Sequence, residues 1–157
     1  KCPIVKLLSN ADKIVSYGPS KGRDINDIKF EAEIVGFFGE CKYIKENGRY
    51  TSVLLDVSID FEVVRGPAAK SPNIQLDYFV ALPDFFPKPE GKKMFSKLVA
   101  FPRNRNSVSI TDKDIEIVIP LNEKRRGPET KIIAGFNLSA KQLESDRRRK
   151  FRIKPER

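Results

Sequence analysis

Strict alternation of apolar and polar side chains over SVLLDVSIDFEVV, residues 52–64, is the feature that most narrows what this chain can fold into. Val53, Leu55, Val57, Ile59, Phe61 and Val63 share one parity, while Asp56, Ser58, Asp60 and Glu62 take the other. Successive side chains of a strand point to opposite faces, so this pattern predicts a long strand with one face buried. DIKFEAEIVGF repeats it, with Ile28, Phe30, Ala32 and Ile34 against Lys29, Glu31 and Glu33. Between the two runs, Asn47-Gly48 supplies the positive φ angles of a tight turn, which predicts an antiparallel hairpin.

Further strands are expected at about Ile74 to Leu82, Lys93 to Phe101, Ser107 to Ile110, Ile115 to Ile119 and Lys131 to Phe136. They are separated by GPAAKSP, PDFFPKPEGK, PRNRN and NEKRRGPET, whose Pro, Gly and Asn break strands. The segment LLSNADKIVSYG reads as an irregular lead-in or an edge strand. In FNLSAKQLESDRRR, Ser139 and Gln142 can form a capping box and Leu138 and Leu143 a hydrophobic staple, predicting a short C-terminal helix over about 139–149. The fold class expected is all-β: an antiparallel immunoglobulin-like sandwich of about seven to nine strands, one domain over 1–146, followed by a basic tail over 147–157.

Composition narrows the chemistry. The chain has 157 residues, 39% of them hydrophobic and 32% charged, which suits one folded globular domain with a real core. No apolar run approaches the roughly 20 residues of a membrane span. With no histidine and two cysteines, the usual general base and the usual zinc sets are missing. Carboxylate, lysine or tyrosine chemistry remains open, but no cofactor or metal is expected.

Several groups of residues are candidates for function. Asp56, Asp60 and Glu62 share a strand face, and Asp112, Asp114 and Glu116 in TDKDIE form a similar set. Such clusters can bind calcium or act as an acid and base pair, against the plainer reading of a wet strand face. GPSKGRD, residues 18–24, has the glycines and cations of a phosphate loop but neither fingerprint, and reads as a surface loop. Phe79, Phe95 and Phe101 alternate within strands and are assigned to the core. Phe85 and Phe86 sit in a proline-rich loop, which offers a partner or membrane-surface contact unless it folds back over the core.

Net charge is +9, and residues 147–157, RRRKFRIKPER, hold seven cations against one Glu. Arg147, Arg148, Arg149, Lys150, Arg152 and Lys154 are therefore candidate contacts to an acidic protein, an anionic lipid surface or nucleic acid, against the alternative of a solvated helix end.

Cys2 and Cys41 are the remaining pair. Lys1 stands before Cys2, which makes Cys2 a poor lipidation site and moves any lipid anchor upstream. A Cys2–Cys41 bridge would close a loop of about 40 residues, worth up to about 4 kcal/mol on a chain-entropy argument. Two unpaired thiols are the alternative.

The succession of CPIV, GRDINDIKFEAEIVGFFGECKY, FEVVRGPAA, DYFVALPD followed by KKMF, and IIAGFNLSAKQL before an Arg-rich end resembles a family of small exported proteins of alphaproteobacteria, lipoproteins among them. The resemblance covers nearly the whole chain but contains no catalytic motif. It implies a non-enzymatic β domain addressed to the cell envelope, in the periplasm or on the inner face of the outer membrane, acting by protein–protein contact. A nucleic-acid-associated β domain using the basic tail is the alternative, and an enzyme built on the carboxylates a third.

Overall fold

A computed structural model describes residues 1–18, 22 and 24–138, with Glu90 and Asp114 described by backbone alone. The expected helix over 139–149 and the tail over 147–157 lie outside the described residues. Among the described residues, eight strands run in chain order: β1 (Ile4–Leu7), β2 (Lys13–Tyr17), β3 (Ile28–Glu46), β4 (Arg49–Arg65), β5 (Asn73–Ala81), β6 (Lys92–Ala100), β7 (Ser107–Pro120) and β8 (Lys131–Phe136). They form two four-stranded sheets, ordered β1-β8-β5-β6 and β2-β3-β4-β7. β1 runs parallel to β8, and every other pairing is antiparallel. The chain is an all-β sandwich, as the alternation predicts. The ambiguous lead-in supplies the short edge strand β2, a second short edge strand, β1, lies just ahead of it, and the two segments expected between Ser107 and Ile119 are one strand.

The β3–β4 hairpin is longer than its alternating runs suggest. Asn47 and Gly48 both have positive φ, 50° and 79°, the pair of angles a two-residue turn of matching twist requires. At the far end of β4, Gly66 donates its N–H to Lys29 O at 2.9 Å, and a Cβ there would fall 2.1 Å from Ile28 O. Only glycine allows the backbones to approach so closely.

Val53, Leu55, Val57, Ile59, Phe61 and Val63 are buried, and all six point into the sandwich. Across from them stand Ile74, Leu76, Tyr78 and Val80 of β5 and Ile132, Ala134 and Phe136 of β8. At the centre, Phe61 packs on Tyr78 at 5.2 Å and on Phe136 at 5.8 Å between ring centroids, and Tyr78 stacks on Phe95 at 5.2 Å. Each such side chain contributes about 2 kcal/mol by leaving water, and ring pairs add about 1 kcal/mol.

Register shifts occur at Ser16/Tyr17 and near the hairpin turn at Ile44/Lys45, and two more, inside the long strands, interrupt the alternation. In β3 the register with β4 shifts between Ile34 and Gly36, so Val35 is an extra residue. Before it, Phe30, Ala32 and Ile34 face inward; after it, Phe37, Cys41 and Tyr43 pack against the core. In β7, Ile115 pairs with Val57 while Asp112 pairs with Ile59, so one extra residue lies opposite Ser58. Ile115, Ile117 and Ile119 point inward beyond it, whereas Val108 and Ile110 point inward before it. A single extra residue exchanges the two faces of everything that follows.

Candidate functional site

The first consequence of the β3 bulge is the cysteine bridge. Cys41 has the parity of the inner face only because Val35 is inserted upstream. Cys2, just before β1, joins it in a disulfide with Cα atoms 5.7 Å apart, across 39 residues of sequence. β2 pairs only with β3 residues 28–33, so the Cys41 stretch is the edge of its sheet. The bridge thus staples β1, an edge of one sheet, to an edge of the other. Tyr43 donates its hydroxyl to Lys1 O at 2.5 Å beside it. Of the alternatives left open by the sequence, the pair is bonded; no cysteine is free.

On the opposite side lies the β7 bulge. Asp112, just before the extra residue, shares the inward parity of Val108 and Ile110, and its Oδ2 accepts the buried Tyr78 hydroxyl at 2.5 Å while its Oδ1 lies 3.9 Å from Lys97 Nζ of β6. Lys93, also on β6, donates to Glu116 O at 3.2 Å. Burial, with the Asp112 carboxylate as acceptor, pushes the Tyr78 hydroxyl far above its ordinary range, so Tyr78 stays protonated and donates. The expected set of Asp112, Asp114 and Glu116 on one face is therefore corrected. Asp112 faces the interior, whereas Glu116 shares the outer face with Val118, because the inserted residue lies between them.

The outer-face carboxylates are spread along the sheet. Asp56 stands between Glu40 and Glu116 in neighbouring strands, Glu62 pairs with Glu33, and Asp60 accepts from Thr111 at 2.6 Å. Among the described residues, no three acidic or cysteine side chains converge on a position for a metal ion. In the GPSKGRD loop, Asp24 N donates to Asp27 Oδ2 at 2.9 Å and Ile25 N to Asp24 Oδ1 at 2.6 Å. Carboxylates occupy these two N–H groups; residues 19–21 and 23 of the loop lie outside the described residues.

The aromatic candidates separate. Phe101 is buried and Phe95 packs against the core as expected. Phe79 is corrected: Tyr78 takes the inward position, and Phe79 lies half-buried on the outer face under Lys92, whose Nζ sits 4.7 Å from its ring centroid. Phe85 is corrected too. It is 6% exposed and belongs to the core, because the 3₁₀ turn Pro83–Phe85 folds it inward, and Arg125 lies over its ring at 4.0 Å. Phe86 is the loop's surface residue, 52% exposed. Arg147, Arg148, Arg149, Lys150, Arg152 and Lys154 lie outside the described residues.

Two features went unnoticed in the sequence. One is a cleft of about 280 Å³ where β8 ends, floored by Phe30, Leu76 and Phe136 and rimmed by Lys29, Gln75 and Asp77. The other is β6, whose outer face exposes Met94 and Leu98 by 51% and 68%; KKMFSKLVA carried that signal in its alternation. Beside it, Asp77 accepts from Ser96 at 2.6 Å and Gln75 at 2.9 Å, and these bonds hold its carboxyl below the ordinary value.

No protein-family model, curated protein or solved structure matches the chain. No helix among the described residues is long and apolar enough to cross a membrane.

Proposed function

We propose that this chain is a non-enzymatic binding or structural accessory protein of the bacterial cell envelope, acting in the periplasm or at the inner face of the outer membrane. The observation that carries the reading is the Cys2–Cys41 staple, since structural disulfides persist in oxidising compartments and are rare in the cytosol. The resemblance to small exported alphaproteobacterial proteins points to the same address. Binding is the mode of action that the surface supports: a rigid sandwich displays an exposed Phe86 on a loop and apolar side chains on a sheet edge. Phe85 serves that loop as its buried anchor rather than as a contact.

The basic segment 147–157 supplies a second contact, toward an acidic protein or anionic lipid headgroups. It also favours the second reading, a nucleic-acid-associated β domain, because the same cations neutralise phosphates.

Cell fractionation tests the first reading. The protein is expected in the periplasmic or membrane fraction, protected from added protease until the outer membrane is permeabilised, and recovery in the cytoplasm overturns the reading. Nucleic-acid binding that falls steeply with salt and vanishes when 147–157 is removed would establish the second.

A further inference from the structure

Among the described residues the sandwich has four edge strands and one edge stretch, β3 beyond Glu33, which the Val35 bulge and the Cys2–Cys41 bridge guard; three of the four edge strands are guarded too. β1 is four residues long, β2 is five with a register shift between Ser16 and Tyr17, and β7 carries its bulge opposite Ser58. Short strands and bulges are common devices that stop one sheet edge from pairing with another. β6 has neither device. Its nine residues pair with β5 in an unbroken register from Lys92 to Ala100, it contains no proline, and no described strand pairs with its other side.

The hydrogen-bonding phase of that free edge is readable. Leu82 N donates to Gly91 O at 2.7 Å and Phe101 N to Pro72 O at 2.8 Å, flanking the β5–β6 ladder in the same register. In an antiparallel pair, every second residue directs its N–H and C=O at the partner. Odd-numbered residues of β6 therefore face β5. Lys92, Met94, Ser96, Leu98 and Ala100 present their backbone groups outward, and the same residues carry side chains on the outer face of the sheet.

We propose that β6 pairs antiparallel with β6 of a second copy of this chain, about a two-fold axis at Ser96, joining the two four-stranded sheets into one. In this register Ser96 faces Ser96, Met94 faces Leu98 twice, and Lys92 faces Ala100, so every outward-directed residue meets another. The most exposed apolar side chains of the strand cover one another, and Phe79, next to Met94 on β5, extends the apolar row. On the inner face Lys93 lies opposite Val99 and Phe95 opposite Lys97. No lysine opposes a lysine.

The lysines select this register over its neighbours. Moving the axis to Phe95 sets Lys93 against Lys97 twice, and moving it to Lys97 sets that lysine against itself; like charges directly opposed are destabilising. An axis at Met94 or at Leu98 shortens the pairing to 92–96 or 96–100. Lys93 and Lys97 are drawn toward β7 by Glu116 O and Asp112, which leaves the free edge to the apolar residues. The contact is isologous, as closed dimers require, and does not depend on the envelope assignment.

Cysteine cross-linking and sedimentation test the pairing in the full chain with its native disulfide. Residues opposed in a hydrogen-bonded pair have Cα atoms about 5.5 Å apart, within disulfide reach. Under mild oxidation Ser96→Cys is expected to form a covalent dimer alone, whereas Met94→Cys and Leu98→Cys should cross-link only when mixed. Sedimentation of the unaltered protein should show mass rising toward a dimer with concentration. Ser96→Pro removes the outward N–H together with the exposed hydroxyl bond to Asp77, and should stay monomeric with an unchanged circular dichroism spectrum, whereas Ser96→Ala, which loses the hydroxyl alone, should still dimerise. The proposal is overturned if the unaltered protein is monomeric throughout the series, or if the three cysteine variants cross-link alone at equal rates. A dimer that Ser96→Pro leaves intact while Ser96→Cys fails to cross-link overturns it as well. Should Ser96→Pro not fold, the cross-linking pattern still decides.

Discussion

The two open sides of this sandwich are closed by different chemistry. On one side a covalent bond joins the start of β1 to Cys41 of β3, with Tyr43 bonded to Lys1 O beside it. On the other, Lys93 and Lys97 of β6 reach across to Glu116 O and Asp112 of β7, and the buried Tyr78 donates to the same Asp112. Each closure lies beside one inserted residue, Val35 upstream of Cys41 in β3 and the extra residue just after Asp112 in β7, where a polar or reactive side chain faces inward. The lesson is that bulges mark where the open sides of this molecule are held. The covalent side answers to redox conditions and the polar side to charge and hydrogen bonding.

Breaking the covalent side should have the largest effect. Replacing Cys2 and Cys41 together by Ala is expected to cost about 4 kcal/mol, the loop-closure entropy returned to the unfolded chain, read as a lower urea midpoint. Adding reductant to the native protein should give the same loss, and adding it to the double variant none. Asp112→Ala comes next, at about 2 kcal/mol, because it leaves the Tyr78 hydroxyl buried without an acceptor. Asp112→Asn, which keeps an acceptor, should lose less. If the two sides are independent closures, the Cys2/Cys41 and Asp112→Ala losses add in a double-mutant cycle; a large coupling term would mean that the sheets part as one unit.

Lys97→Met should be worth less than about 1 kcal/mol, since a partly exposed pair at 3.9 Å is screened by solvent. Smallest is the pH dependence of Asp77. Hydrogen bonds from Ser96 and Gln75 depress its folded pKa. Their stabilisation is therefore full above the ordinary carboxyl value near 4 and is lost as pH falls through the lowered one. Ser96→Ala should raise the Asp77 titration midpoint toward that ordinary value, measured by carboxyl NMR chemical shifts.

Much of the architecture was legible from periodicity. The six alternating residues of β4 are all buried, and Asn47-Gly48 forms the turn its φ preference demands. The bulges were not legible, because one inserted residue changes neither composition nor local propensity while reversing every face beyond it. That is why the Asp112, Asp114 and Glu116 set was placed on one face. Tyr78 and Phe79 are adjacent aromatics with equal claim on the core, and Ile74, Leu76 and Val80 carried the parity that favours Tyr78. Phe85 and Phe86 are likewise indistinguishable in composition, and the turn at Pro83 decides which is buried. Of the candidate site, the cysteine pairing was legible as one of two alternatives. The β6 register needed the hydrogen-bonding phase of β5 and β6, which sequence alone does not contain.

Thiol trapping in the cells that make this protein tests the central claim most directly. Acid quenching followed by alkylation without reductant, then intact mass measurement, reports the state of Cys2 and Cys41 in place. An exported, stapled sandwich predicts no alkyl group added and two after reduction; two alkyl groups without reductant would contradict both the staple and the envelope address.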